Sequence, residues 1–228
     1  NSEDQKVFEW GVEGSAEGQF SKPAGIASDL AGHLYVVDAG NNRIQKFTGD
    51  GEFIHSWGEF GSERGQFKDP WGITVDSQGF VYVADWGNDR VQKFAGDGEW
   101  LQNFGVSSPD ALRLNHPSDV AVDSEGDVYV TDWGNKKVQI FDSDGEILTS
   151  LYGDATEFSR SALNFLEVNQ DYYKAFKRAK DKSRLGVFAR PTSISVTKDD
   201  RIIICDATRQ RLQVYDKEKG YMDPEYNL

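Results

Sequence analysis

The chain repeats itself every 47 residues, and that period limits what it can fold into more than any single residue does. The clearest copies are LYVVDAGNNRIQKF (34–47), VYVADWGNDRVQKF (81–94) and VYVTDWGNKKVQIF (128–141), with a divergent fourth, IIICDATRQRLQVY (202–215). Asp38, Asp85 and Asp132 stand 47 apart, as do Pro23, Pro70 and Pro117, and Trp10, Trp57 and Phe104. The register therefore holds well outside the conserved-looking core of each copy. Self-similarity at such a period marks an array of one supersecondary unit, each copy burying its apolar face against the next.

The second copy shows what that unit is. Trp71 to Val75 reads as a short apolar strand and Phe80 to Ala84 as a second, joined by Asp76-Ser77-Gln78-Gly79. A longer turn, Asp85 to Asp89, leads into Arg90 to Phe94, whose polar and apolar residues alternate with the period of two of a half-buried strand. Gly96-Asp97-Gly98 then introduces a fourth strand, Glu99 to Phe104. Asp-Gly and Gly-Asp pairs between alternating runs signal hairpins, because glycine supplies the positive φ that tight turns need. The expected fold is all-β: a β-propeller of four-stranded antiparallel blades, four in number.

The recurring elements P-x-G-I-A/T, V-Y-V-A-D, N-x-R-V/I-Q-K-F, D-G-E-F/W and F/W-G, with G-x-x-x-G-Q-F between copies, resemble the NHL repeat family, closely over 5–153 and weakly over 188–216. The resemblance implies a propeller, in that family usually six-bladed. Here the fourth copy lacks a fourth strand, while Lys6 to Trp10 matches a fourth strand lacking its first three. Either the N-terminal strand completes the last blade in a small four-blade ring, or the chain is an open or truncated arc. The resemblance favours the arc, whose exposed faces would need a partner and could make the protein a homo-oligomer.

Between the third and fourth copies the period is broken by an insertion near 157–187. It has no Gly or Pro from Ser161 to Lys182 and carries apolar residues at helical spacing, so one amphipathic helix is expected there. The insertion carries a net charge of +3, which leaves −16 for the rest of a chain whose total is −13. Such a surface repels phosphates and anionic lipid, so neither nucleic acid nor membrane is expected as a partner. This holds even though the NHL propellers of tripartite-motif proteins can bind RNA through a basic face. A single cysteine, Cys205, excludes an internal disulfide and is expected to be a buried, inert thiol. No apolar run approaches membrane-spanning length, so a soluble protein is expected, extracellular or periplasmic, although nothing in the sequence identifies the compartment.

Asp38, Asp85, Asp132 and Asp206, each followed five residues later by Arg43, Arg90, Lys137 or Arg211, recur in every copy. A catalytic group needs one distinctive environment, so these are read as turn-stabilising residues. The ligand-binding candidates are instead those on the face that carries the second-to-third strand turns: Trp71, Trp86, Trp133 and Arg90, together with His116 and Asp119 near the channel mouth. Asp119 attracts attention because it replaces the Gly found at 25 and 72. His33 and His55 fall in a turn and an outer strand. The function these features favour is a non-catalytic binding or scaffold propeller that recognises a protein, peptide or small-molecule ligand and needs no cofactor. The alternative is a metal-assisted lyase or lactone hydrolase, using calcium or zinc at His116 and Asp119; it is prompted by the similarity of NHL propellers to peptide-amidating lyases, which hold zinc through histidines.

Overall fold

The structure is a computed structural model and describes residues 9–106, 112–153 and 187–217. Among these, fifteen strands form four antiparallel sheets in chain order. Blade 1 contains β1 (Pro23–Ser28), β2 (Leu34–Asp38), β3 (Arg43–Phe47) and β4 (Phe53–Trp57). Blade 2 contains β5 (Pro70–Val75), β6 (Val81–Asp85), β7 (Arg90–Phe94) and β8 (Trp100–Phe104). Blade 3 contains β9 (Pro117–Val122), β10 (Val128–Asp132), β11 (Lys137–Phe141) and β12 (Ile147–Leu151). Blade 4 has three strands, β13 (Pro191–Val196), β14 (Arg201–Asp206) and β15 (Arg211–Asp216). The expected helical insertion at 157–187 and most of the N-terminal strand, Lys6 to Trp10, lie outside the described residues.

Alternation along the strands gives each blade two apolar faces, and the trailing face of one packs on the leading face of the next. Tyr35, Val37 and Ile44 of blade 1 meet Ile73, Val81, Val83 and Phe94 of blade 2. Tyr82, Ala84 and Val91 meet Val120, Val128, Val130 and Phe141 in the same way. Tyr129, Val138 and Ile140 meet Ile194, Ile202 and Ile204. The buried tyrosines keep their hydroxyls bonded, each donating to the aspartate of its own first turn: Tyr35 to Asp29 at 3.1 Å, Tyr82 to Asp76 at 3.1 Å and Tyr129 to Asp123 at 2.8 Å. An aromatic ring at the end of the fourth strand of blades 1 and 2 caps the next blade. Trp57 lies 5.9 Å from Phe94 and Phe104 lies 5.9 Å from Phe141, while Trp10 takes the same place over Phe47 at 6.2 Å.

The repeated aspartates are structural: Asp38, Asp85 and Asp206 each meet the arginine that opens the next strand, but the backbone N–H groups they accept lie outside their own turns. None of the three-residue 3-10 turns that follow Asp38, Asp85 and Asp206 receives a side-chain cap from that aspartate. The repeated carboxylates instead reach back to the connector before each blade: Asp38 accepts the N–H of Ser21 at 2.6 Å, Asp85 that of Lys68 at 2.8 Å, Asp132 that of Asn115 at 2.8 Å, and Asp206 those of Ala189 and Arg190 at 3.2 Å. In blade 2, Asp85 also accepts from Asn88 Nδ2 at 2.9 Å, Arg90 Nε at 2.8 Å and Gln92 Nε2 at 3.2 Å. Those three side chains donate in turn to connector carbonyls: Asn88 to Gly61, Arg90 to Ser62, Glu63 and Gln66, and Gln92 to Gln66. Blade 1 repeats the arrangement with Asn41, Arg43 and Gln45. Blade 3 keeps Asn135 and Gln139, with Lys137 in place of the arginine. Burial pushes the Asp85 and Asp132 carboxyls above 3.8, against the opposing pull of these bonds and of Arg90 or Lys137.

Among the described residues the sheets do not close into a ring. The N-terminal segment from Glu9 adds no strand to β15, so the four-blade ring is not formed among the described residues. Cys205, expected to be buried, is a free thiol only half-buried on the outward face of blade 4. Because Asp85 is fully buried with four donors around it, Asp85→Ala leaves the Arg90 Nε–H and a connector N–H without their acceptor. A loss of about 3–5 kcal/mol is expected in urea unfolding, the scale for breaking a buried ion pair.

Candidate functional site

Bonds between turn and connector decide which side chains reach the surface. Gly87 N–H donates to Lys68 O at 2.8 Å and Gly134 N–H to Asn115 O at 2.8 Å, which holds the turns bearing Trp86 and Trp133 against the chain entering each blade. The residue before the proline of each first strand is also unusual. Lys22, Asp69 and His116 all have φ near +50 (49, 49 and 53), although a residue preceding proline ordinarily adopts extended backbone. The bends are held from the neighbouring blade, where Asn42 Oδ1 accepts Asp69 N–H at 3.0 Å and Asp89 Oδ1 accepts His116 N–H at 2.7 Å. The His116 ring is thereby laid against the turn of blade 2.

The result is a continuous stripe of rings across blades 2 and 3, ending on an arginine at the entry of blade 4. Trp71 stacks on Trp86 with centroids 4.7 Å apart and planes 27° apart. Trp86 then meets His116 edge-on at 4.9 Å and Trp133 at 5.0 Å. The guanidinium of Arg190 lies over Trp133 at 4.3 Å and ends the stripe. Each aromatic contact contributes about 0.5–1.5 kcal/mol beyond burial, so the rings are mutually braced before anything binds. Trp71 is 44% exposed, and Trp86 and Trp133 are half-buried. Each ring thus covers its neighbour and still offers part of its surface to solvent. Blade 1 has Ala24 and Ala39 at the positions of Trp71 and Trp86, so the stripe stops there.

Four of the six predicted residues, Trp71, Trp86, Trp133 and His116, come together in this stripe, and two do not. Arg90 is a correction: it is 6% exposed, with its guanidinium bonded to Asp85 and three connector carbonyls, so it braces the face from below. Asp119 is the second. It lies on β9, lining a central cavity of about 430 Å³ shared by β1, β5, β9 and β13, and no hydrogen bond or ion pair joins it to His116. Its Oδ2 accepts the Ser193 hydroxyl at 2.7 Å and the Ile194 N–H at 3.0 Å, and its Oδ1 accepts the Val120 N–H at 3.0 Å. A glycine is required opposite, since a β-carbon on Gly72 would collide with Asp119 Oδ1 and the Ser118 carbonyl. Asp119 is therefore an interblade brace, and burial raises its pKa above 3.8. Arg190 was missed by sequence reasoning, although its place before Pro191 matches that of His116 before Pro117.

The remaining histidines stand apart from the stripe. His33 Nδ1 lies 2.9 Å from Asp29 Oδ2, and His55 stacks on Trp57 in an outer strand. Among the described residues no three His, Cys, Asp or Glu side chains are grouped so as to hold a metal ion. No helix there is long and apolar enough to cross a membrane.

Comparison with known proteins gives the repeat its place. The NHL repeat family matches residues 20–47, 67–94, 114–141 and 188–215, one match in each blade. Protein lin-41 of Caenorhabditis elegans is 44% identical over 48 residues, covering 21% of this chain and 4% of that protein. The E3 ubiquitin-protein ligase TRIM71 of Rattus norvegicus is 43% identical over 49 residues, covering 22% of this chain and 6% of the relative. Among solved structures, a streptogramin B lyase superposes with a TM-score of 0.56 at 16% identity, over 87% of this chain and 55% of the lyase chain. At that identity the likeness is one of fold.

The raised pKa of Asp119 has a signed consequence for stability. Folding favours its protonated form, so its stabilising contribution is present below pH 3.8 and is lost as pH rises through the folded-state value. Asp119→Asn does not titrate. The melting temperature of this variant relative to the unmutated chain should therefore rise between acid and neutral pH, as measured by thermal unfolding across that range.

Proposed function

The chain belongs to the NHL-repeat family, and we propose that it is a binding module whose Trp71–Trp86–His116–Trp133–Arg190 stripe receives an extended segment of a protein partner. The observation that carries this reading is the shape of the stripe. Its rings, packed against one another on blades 2 and 3, run on to the Arg190 guanidinium at the entry of blade 4, a line that matches a peptide laid along the surface better than a compact molecule held in a hole. Aromatic and arginine side chains held rigidly in this way are the usual anchors of recognition, because little conformational freedom is lost when a partner covers them. The overall charge of −13 adds a preference for a segment with basic residues flanking its apolar contacts.

The metal-assisted lyase or lactone-hydrolase reading depends on His116 acting with Asp119. The two belong to different surroundings here, with His116 on the aromatic stripe and Asp119 committed to Ser193 and Ile194. The binding reading is accordingly the one with structural support.

Selection of a displayed random-peptide library on the protein tests it. Peptides enriched on the unmutated chain should bind Trp86→Ala and Trp133→Ala at least about tenfold more weakly, the loss expected for an anchor worth 1.4 kcal/mol or more. Urea midpoints would verify that both variants remain folded. Peptides that bind all three proteins equally, or none enriched at all, would overturn the assignment.

A further inference from the structure

The repeat breaks toward positive charge where blade 3 meets blade 4. At the two earlier junctions the left-handed residue of the turn carries a side-chain acceptor, Asn42 or Asp89, which takes the N–H of the residue before the next proline. Lys136 (φ 59) holds that position in blade 3, and its ammonium can only donate. The residue before Pro191, Arg190, gives its backbone N–H to Asp206 Oδ1 of its own blade at 3.2 Å. Its guanidinium lies over Trp133, 4.3 Å from the ring centroid. In the turn of blade 4, Arg209 stands where Asn41, Asn88 and Asn135 donate to the hub aspartates of the other blades. Among the described residues the buried Nε of Arg209 has no hydrogen-bond partner.

Three cations thus stand at the blade 4 end of the stripe. Trp133 links Arg190 to the turn that carries Lys136, and Asp206 links it to the turn that carries Arg209. Among the described residues the side chains of these three have no hydrogen bond and no ion pair. Arg43 and Arg90 differ, since their guanidinium groups are spent on hub aspartates and connector carbonyls. The acidic excess of the chain lies elsewhere. The turns joining first to second and third to fourth strands, at the opposite end of the blades, hold fourteen acids and one lysine. Two exposed acids that flank the stripe, Asp69 and Asp89, belong to its blade 2 end.

We infer that the partner segment carries a carboxylate, which Arg190 receives at the blade 4 end of the stripe and which Lys136 and Arg209 attract. The inference rests on the peptide-binding reading of the stripe and gives the bound segment a direction. A guanidinium laid on an indole keeps its edge free, and that edge presents parallel N–H groups matched to the two oxygens of a carboxylate. Stacking also fixes the arginine before the partner arrives, so little side-chain freedom is lost on binding. The carboxylate comes from the partner's C-terminus or from an Asp or Glu side chain. Basic residues of the segment, favoured by the overall charge of −13, fall toward Asp69 and Asp89.

Random peptides selected on the protein from two libraries, one displayed with a free C-terminus and one with that end fused to its carrier, supply the probes. Fluorescence polarisation then compares each selected peptide with forms whose C-terminus is amidated or whose acidic side chains are replaced by amides. Loss of the recognised carboxylate should weaken binding about tenfold, the scale of a hydrogen bond to a charged group. Arg190→Gln should cost about the same factor, and the two losses should not add, because each removes the same contact. Arg190→Lys should fall between, since an ammonium keeps the charge without the parallel donors. Sensitivity to amidation identifies the C-terminus as the source, and sensitivity to the internal change identifies a side chain. Urea midpoints verify that both variants fold, as expected of an exposed side chain. Peptides that need Trp86 and Trp133 but bind equally without their carboxylates, or losses that add, would overturn the inference and leave the stripe reading standing. A single-stranded oligonucleotide that displaces the peptides through Arg190 would overturn it in favour of phosphate. Selected peptides indifferent to both tryptophans would overturn both readings.

Discussion

Everything on the surface of this protein rests on a carboxylate that never reaches it. At the end of each blade's second strand a fully buried aspartate collects a connector N–H, and in blades 1 and 2 also the amides of an asparagine and a glutamine and the guanidinium of an arginine. A carboxylate removed from water needs this many donors, since an unpaired buried charge costs several kcal/mol. The donors belong to the turn, the third strand and the connector, so satisfying one charge holds three chain segments at a single point. The tryptophan turns are held by the same connectors, and the left-handed bends at Asp69 and His116 by Asn42 and Asp89 of the preceding blade. The aromatic stripe is thus an outer layer on a polar core.

Within this frame, strict repetition and departure from it carry different information. Asp85 and Gln92 have counterparts in all four blades, and Asn88 and Arg90 in three each, because each blade must satisfy the same buried groups. Trp71, His116 and Arg190 do not recur, Trp86 returns only as Trp133, and the hub uses none of them. Their contacts are with one another across blade boundaries, which is how neighbouring blades of nearly identical backbone come to present a surface with a beginning and an end.

The sequence was legible where local pattern and period agreed. The strands, their turns and the shared face of Trp71, Trp86 and Trp133 all followed from alternation and the 47-residue register. The partners of Asp38 and Asp85 were not legible, because an aspartate beside a turn looks the same whether it bonds its own turn or an N–H 17 residues earlier. Arg90 was misjudged for the same reason: its donors are consumed by carbonyls 24 to 28 residues away. Asp119 followed His116 by three residues and was grouped with it, but proximity along a strand does not bring side chains into contact. Arg190 was hidden by the break in period before it, which obscured its equivalence to His116.

The connector that satisfies each hub precedes the blade it serves, and this offsets the unit that folds from the unit that is visible as a sheet. A blade cut out at the start of its first strand would leave its aspartate without the connector N–H and its asparagine and arginine without their acceptors. A segment beginning at Gly14 keeps them, since the hub contacts of blade 1 reach back no further than Gly14, Ala16, Gln19 and Ser21. All these contacts span fewer than 30 residues, so each can form while the next repeat is still unstructured. A chain built this way can be lengthened, shortened or cleaved between modules, provided that each cut falls ahead of a connector and not at the edge of a blade.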